Sequence, residues 1–211
     1  LSKENIQLTL SVHNLLIDFF NNDRKIEDVF DVEKWAWYFA ASDINYYGHG
    51  ALLKSVKFYY NPLSAKFEPI PFDGHRIVVD YNKNILDWQK GNFRNSAASF
   101  TQATLCNKDI KDCPDPFAYK FFFRKNDTPN RNFFNLYKKN INKITSKEFL
   151  DIFFKQRKNE IIRLNAKIYG DYFYTDNTYF FGPGLYYFNK DEIYDRGDRL
   201  RLGLSSESFN L

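Results

Sequence analysis

The stretch from Asp31 to Arg76 (DVEKWAWYFAASDINYYGHGALLKSVKFYYNPLSAKFEPIPFDGHR) constrains this chain more than any other. Its opening reads as a helix. Asp31 suits the N-cap, and Glu33 and Lys34 follow in the first turn. Trp35, Tyr38 and Phe39 share an apolar face, with Trp37 and Ala41 beside it, and Ala40, Ala41 and Ser42 allow close packing towards its end. Asp43 arrives where the helix should finish. A helix C-terminus carries partial negative charge, so an acid there needs a local partner or a chemical role. Residues 44–55 read as a loop whose Gly48 and Gly50, flanking His49, permit positive φ or close backbone approach. Residues 56–60 (VKFYY) and 66–72 (KFEPIPF) predict a hairpin turning at Asn61-Pro62 and Ser64. Pro69 and Pro71 cannot donate to a ladder, which places the second strand at an edge. A second acid, Asp73, leaves the hairpin with Gly74, His75 and Arg76, and Ile77–Val79 continues as a short strand.

The rest reads mainly as helix. Residues 4–20 place Ile6, Leu10, His13, Leu16, Ile17 and Phe20 on one apolar face, with His13 read as a core histidine. Asn21, Asn22 and Asp23 stop that helix. Residues 130–144 stack Phe133, Phe134, Tyr137 and Ile141 on one side. Residues 146–165 begin at a Ser146 N-cap and turn Phe149, Leu150, Phe153, Phe154, Ile161 and Leu164 inward, the run reaching Tyr169 before Gly170 ends it. The polar, Asn-rich excursion from 82 to 118 reads as an insertion. The tail reads as short strands and turns, with Arg196-Gly197-Asp198 a chance tripeptide. No linker divides residues 1–211, so the expectation is one α+β domain, mostly helical, with a short hairpin at its active site.

With 211 residues the chain can bury a proper core. It carries 23 Phe and 15 Tyr but no Met, which predicts a core of rings in edge-to-face contact. The net charge is only +4 and the signs are mixed. Lys138, Lys139 and Lys143, with Lys155, Arg157 and Lys158, read as solvated helix faces, which argues against a nucleic-acid partner. No run of about 18 apolar residues predicts a membrane span. Starting at Leu1 and lacking Met, the chain reads as part of a longer precursor. Cys106 and Cys113 are too few for a zinc site, with His13, His49 and His75 far away in sequence. A local disulfide is the preferred reading and would imply an extracellular or cell-envelope location; two unpaired thiols are the alternative.

Two acids flanking a hairpin suit phosphoryl transfer from ATP. That chemistry needs one carboxylate to accept the nucleophile's proton and another to hold Mg²⁺, commonly with an amide oxygen nearby. Protein kinases deliver these parts in this chain order: helix, base Asp, amide, hairpin, metal Asp. Simpler roles exist for each residue. Asp43 could pair with Lys54 or Lys57, and Asp73 could form an Asx turn with Gly74. His49 could touch substrate or sit exposed. His75 and Arg76 could neutralise phosphate or pair with Glu68 or Asp80. Tyr59, Tyr60 and Phe72 read as core.

Phe30 to Glu33, Ala40 to Asp43, Gly48-His49-Gly50, Val56 to Pro62 and Glu68 to Asp73 together resemble the CotH kinase family of atypical protein kinases. The later NFFNLYKKNINKITSKEFLDIFF is similar to that family's helical region. The resemblance covers about two thirds of the chain and implies a kinase-like large lobe, Mg²⁺ and ATP as cofactors, and a protein substrate bearing a Ser or Thr hydroxyl. It makes Asp43 the catalytic acid and Asp73 the metal ligand. The family's loop Asn falls on Ser55, or on Lys54 if the register slips by one, so Ser55 is the second metal and nucleotide contact. His49 is assigned to catalysis, and His75 and Arg76 to the nucleotide. The nucleotide-covering lobe would precede Leu1. The competing expectation is a non-catalytic surface or envelope binding module on the same fold, with a glycan or adhesin-type partner as a further reading.

Overall fold

The computed structural model describes residues 3–45, 56–72, 117–124, 128–172, 193–195, 197–198 and 200–201. The elements in order are α1 (Lys3–Phe20), α2 (Ile26–Val29), α3 (Val32–Asn45), β1 (Lys57–Asn61), β2 (Lys66–Ile70), α4 (Tyr119–Phe122), α5 (Arg131–Ile144) and α6 (Lys147–Tyr172). The class is α+β, mostly helical, with a two-stranded antiparallel sheet among the described residues.

The expected caps form. The Asp31 carboxylate accepts the Lys34 backbone N–H at 3.1 Å, and the Ser146 hydroxyl accepts that of Phe149 at 3.2 Å. Each satisfies a first-turn donor that has no partner within its helix. Asn130, just before α5, is used differently. Its carboxamide is buried and donates to the Phe121 carbonyl at 3.2 Å, tying α5 to α4. In the hairpin Phe58 faces Pro69, Tyr59 faces Glu68 and Tyr60 faces Phe67. The Asn61 carboxamide oxygen accepts from the Leu63 N–H at 2.9 Å, and Ala65 closes the turn at φ 52°.

Rings make the core, as their abundance predicts. The Trp35 ring stands 5.6 Å from Phe30, 5.2 Å from Phe117 and 5.1 Å from Phe121. Phe133, Phe134, Tyr137 and Ile141 of α5 are buried on one side of that helix. α3 packs on both α5 and β2, so it forms the spine between the hairpin and the helical layer.

Some expectations fail. The stripe of α1 that meets the core is Phe19, buried, with Val12, Leu15 and Leu16 partly buried; of the expected face only Leu16 belongs to it, while Ile6, Leu10, His13, Ile17 and Phe20 are exposed. α1 carries two apolar stripes, and only its packing against α2 and the rings selects between them. Tyr59 and Phe72 are exposed, and only Tyr60 packs against the core. Along α6, Leu150 is buried and Phe149 partly so, but Phe153 is exposed and Phe154, Ile161 and Leu164 are half-buried. Its packing is concentrated in the first turns, and the helix continues through Gly170 to Tyr172. Gly197 is buried against Thr145 and Asp198 pairs with Arg201 at 2.5 Å, so these two residues sit in the packing of the α5–α6 turn, while Arg196 lies outside the described residues.

Candidate functional site

The site is built along α3. β2 packs beside this helix. The Phe67 carbonyl accepts from the Asp31 N–H and from the Trp35 indole N–H, each at 3.0 Å. One residue on, Glu68 meets Lys34 at 2.7 Å. Further on, Pro69 and Pro71 line a groove together with Tyr38, Ala41, Ser42 and Asn45.

Glu68 anchors this alignment. It is buried, and its carboxylate accepts from Tyr59 Oη at 2.5 Å, Asn61 Nδ2 at 2.7 Å and Ser64 Oγ at 3.5 Å, besides the Lys34 ammonium. The Lys34 bond, then those from Tyr59 and Asn61, hold its carboxyl at a pKa of about 2. In return the Glu68 carboxylate raises the Lys34 ammonium and the Tyr59 hydroxyl above their usual values. Four donors on one carboxylate fix the hairpin register and pin the hairpin to the first turn of α3.

Asp43 lies in the last turn of α3. Its Oδ2 accepts from the buried Tyr137 hydroxyl of α5 at 2.5 Å. Burial, followed by the neighbouring Asp43 charge, pushes the Tyr137 hydroxyl well above its ordinary pKa. Tyr137 therefore stays protonated and is the donor. This bond is the local partner that an acid at a helix C-terminus requires.

The groove beside Asp43 encloses about 630 Å³ between α3, β2 and α5. Its apolar walls are Trp37, Tyr38, Leu136, Pro69 and Pro71. Ser42, Asn45, Lys139 and Asn140 supply polar groups, and Asp43, bonded to Tyr137, is not among the lining residues. The Lys143 ammonium sits 5.4 Å from the Trp37 ring centroid. Among the described residues no cluster of three or more His, Cys, Asp or Glu side chains could hold a metal ion. None of the described helices is long and apolar enough to cross a membrane.

Of the residues singled out in the sequence, Asp43 is placed at the helix end as expected. His49, Ser55, Asp73, His75 and Arg76 lie outside the described residues, as do Lys54, the strand at 77–79, nearly all of the 82–118 excursion, and Cys106 and Cys113. Sequence reasoning missed the centring role of Glu68 and the Tyr137–Asp43 bond. A signal existed for Glu68: a turn at Asn61-Pro62 with paired strands sets it opposite Tyr59. Tyr137 carried no such signal, because it sits on an ordinary apolar stripe. Comparison with known protein families, with curated proteins and with solved structures finds no match for this chain.

Proposed function

We propose that this chain is the large-lobe part of a CotH-like atypical protein kinase, transferring the ATP γ-phosphate to a Ser or Thr hydroxyl. The packing of the hairpin against α3, with Asp43 near the end of that helix, supports the reading. Pro71 lies in one groove with Ala41, Ser42 and Asn45, which surround Asp43 in sequence. Asp73 is two residues beyond Pro71, and two residues span at most about 7 Å. That short reach supports a reading in which the two acids of the kinase order act together. Asp43 takes the proton of the attacking hydroxyl as the γ-phosphorus–oxygen bond to ADP breaks and the new ester bond forms. Asp73 and Ser55 are the residues that would hold Mg²⁺, which neutralises charge on the phosphates when bound. His75 and Arg76 would face the nucleotide, and His49 the substrate. An extracellular or envelope location, with Cys106 paired to Cys113, belongs to the same proposal.

A second reading, a non-catalytic binding module on this fold, is favoured by one observation. The Asp43 carboxylate is engaged by the buried Tyr137 hydroxyl, and Asp43 is not among the residues lining the groove. Incubation with Mg²⁺ and γ-labelled ATP, beside D43N and D73A, separates the two. Phosphate incorporation abolished by either substitution supports the kinase. Absence of both incorporation and nucleotide binding leaves the binding module.

A further inference from the structure

We infer that the groove between α3, β2 and α5 binds an extended, acidic peptide segment. This stands independently of phosphoryl transfer. The groove follows α3 from Glu33 to Asn45, a rise of about 18 Å along the helix. That length matches about five residues of extended chain at roughly 3.3 Å each. Its volume of about 630 Å³ spread over that length leaves a narrow cross-section, suited to a single chain rather than a compact ligand.

The polar groups fit a peptide backbone. The Ser42 side chain is on the lining of the groove, its residue only 5% exposed, and its hydroxyl has no hydrogen-bond partner among the described residues. A buried hydroxyl without a partner costs stability, which a ligand group would relieve. The Asn45 Nδ2 is occupied by the Ala41 carbonyl at 2.8 Å, leaving its Oδ1 as an acceptor for a peptide N–H. The Asn140 carboxamide, on the facing helix, offers a donor for a peptide carbonyl. Trp37, Leu136, Pro69 and Pro71 supply apolar wall for alternate side chains.

Charge selects the peptide's sign. Lys139 lines the groove and Lys143 lies over Trp37, and neither forms a salt bridge among the described residues. The ammonium of Lys34 is already engaged by Glu68 and Asp31. Among the described residues Glu33 is the one unpaired carboxylate on the lining, against Lys139 on the lining and Lys143 beside it over Trp37, so two free cations meet one free anion there. A neutral sugar would gain nothing from Lys139, and a basic segment would be repelled.

The test titrates the full chain with acetyl-Glu-Leu-Glu-Leu-Glu-amide, its Lys-for-Glu counterpart and maltopentaose. The readout is the amide resonances of Ser42, Asn45 and Asn140, including the two carboxamide side chains. The acidic peptide is expected to shift these resonances, with affinity falling as salt screens the lysines. K139E, at an exposed position, is expected to weaken it about tenfold or more, and N140A several-fold. The inference is overturned if the lysine peptide binds as well, if maltopentaose shifts these resonances instead, if no probe shifts them, or if K139E binds like the parent chain.

Discussion

Replacing Tyr137 by Phe isolates the bond that orients Asp43. The substitution removes one oxygen and leaves the buried ring, 5.1 Å from Phe122 at 81°, in its packing. No cavity term of consequence arises, so the change measures the hydroxyl. A hydrogen bond to a charged group is worth about 1.5–3 kcal/mol net. With Tyr137 buried and Asp43 half-buried, we expect a loss of about 2 kcal/mol. For a chain of this length that corresponds to a fall in Tm of roughly 4–8 °C. D43A should cost at least as much, because it leaves the Tyr137 hydroxyl buried beside an apolar stub. The double variant should then show a coupling of about 1.5 kcal/mol or more. The alkaline limb gives an independent check. The folded-state pKa of Tyr137 is raised above its ordinary 10.0, so stability from this group is complete below pH 10 and falls above it, where the unfolded chain releases a proton that the folded chain keeps. Y137F should lose that increment of alkaline destabilisation. Urea denaturation of the four proteins from pH 7 to 11 measures all of this. A Y137F variant within about 0.5 kcal/mol of the parent, with coupling near zero, would refute the assignment of Tyr137 as the anchor of Asp43.

The acid limb tests Glu68. Its folded pKa of about 2 lies below the ordinary 4.5, so its contribution is complete above pH 4.5 and is lost as pH falls towards 2. E68Q should lower stability at pH 7 and reduce the proton uptake on unfolding across that window, measured by urea midpoints at successive pH values; an unchanged acid limb contradicts the network. Phe121 is fully buried among Phe30, Trp35 and Phe117, so F121A should cost about 3–5 kcal/mol and abolish a cooperative near-ultraviolet melt or sharply lower its midpoint. At Gly197 a Cβ would overlap the Thr145 side chain, so G197A should cost about 1–3 kcal/mol in a thermal melt, and a neutral result would contradict the packing of Gly197 on Thr145.

The elements were legible where one physical signal dominated. Asp31 and Ser146 mark helix starts because a short acceptor side chain before an apolar run satisfies first-turn donors. The hairpin was legible because β-branched and aromatic residues flank Asn61-Pro62. Faces were less legible. Ile6, Leu10, Ile17 and Phe20 repeat at helical spacing as faithfully as Val12, Leu15, Leu16 and Phe19, yet only the second set is covered. Periodicity locates a stripe, whereas burial depends on what lies opposite it. The candidate site suffers most from this limit. Asp43 could be singled out by its awkward place at a helix end, but its partner is 94 residues away on a different helix, and no local rule points from one to the other.

α3 explains why these features belong to one device. Successive turns of the helix engage different neighbours: Lys34 holds Glu68 of β2, Trp35 anchors the rings and the Phe67 carbonyl, Ser42 and Asn45 line the groove, and Asp43 meets Tyr137 of α5. Any shift of the hairpin relative to α5 must therefore change the groove, whose two sides those elements form. The Glu68 and Tyr137 contacts act as clamps at opposite ends of the same helix. Releasing the first should alter how β2 lies along α3, and releasing the second should alter the spacing of α3 from α5. Amide resonances of Ser42 and Asn45 should respond to both E68Q and Y137F, although neither altered residue lines the groove. If only one substitution moves them, the groove belongs to one clamp, and α3 does not transmit between the hairpin and the helical layer.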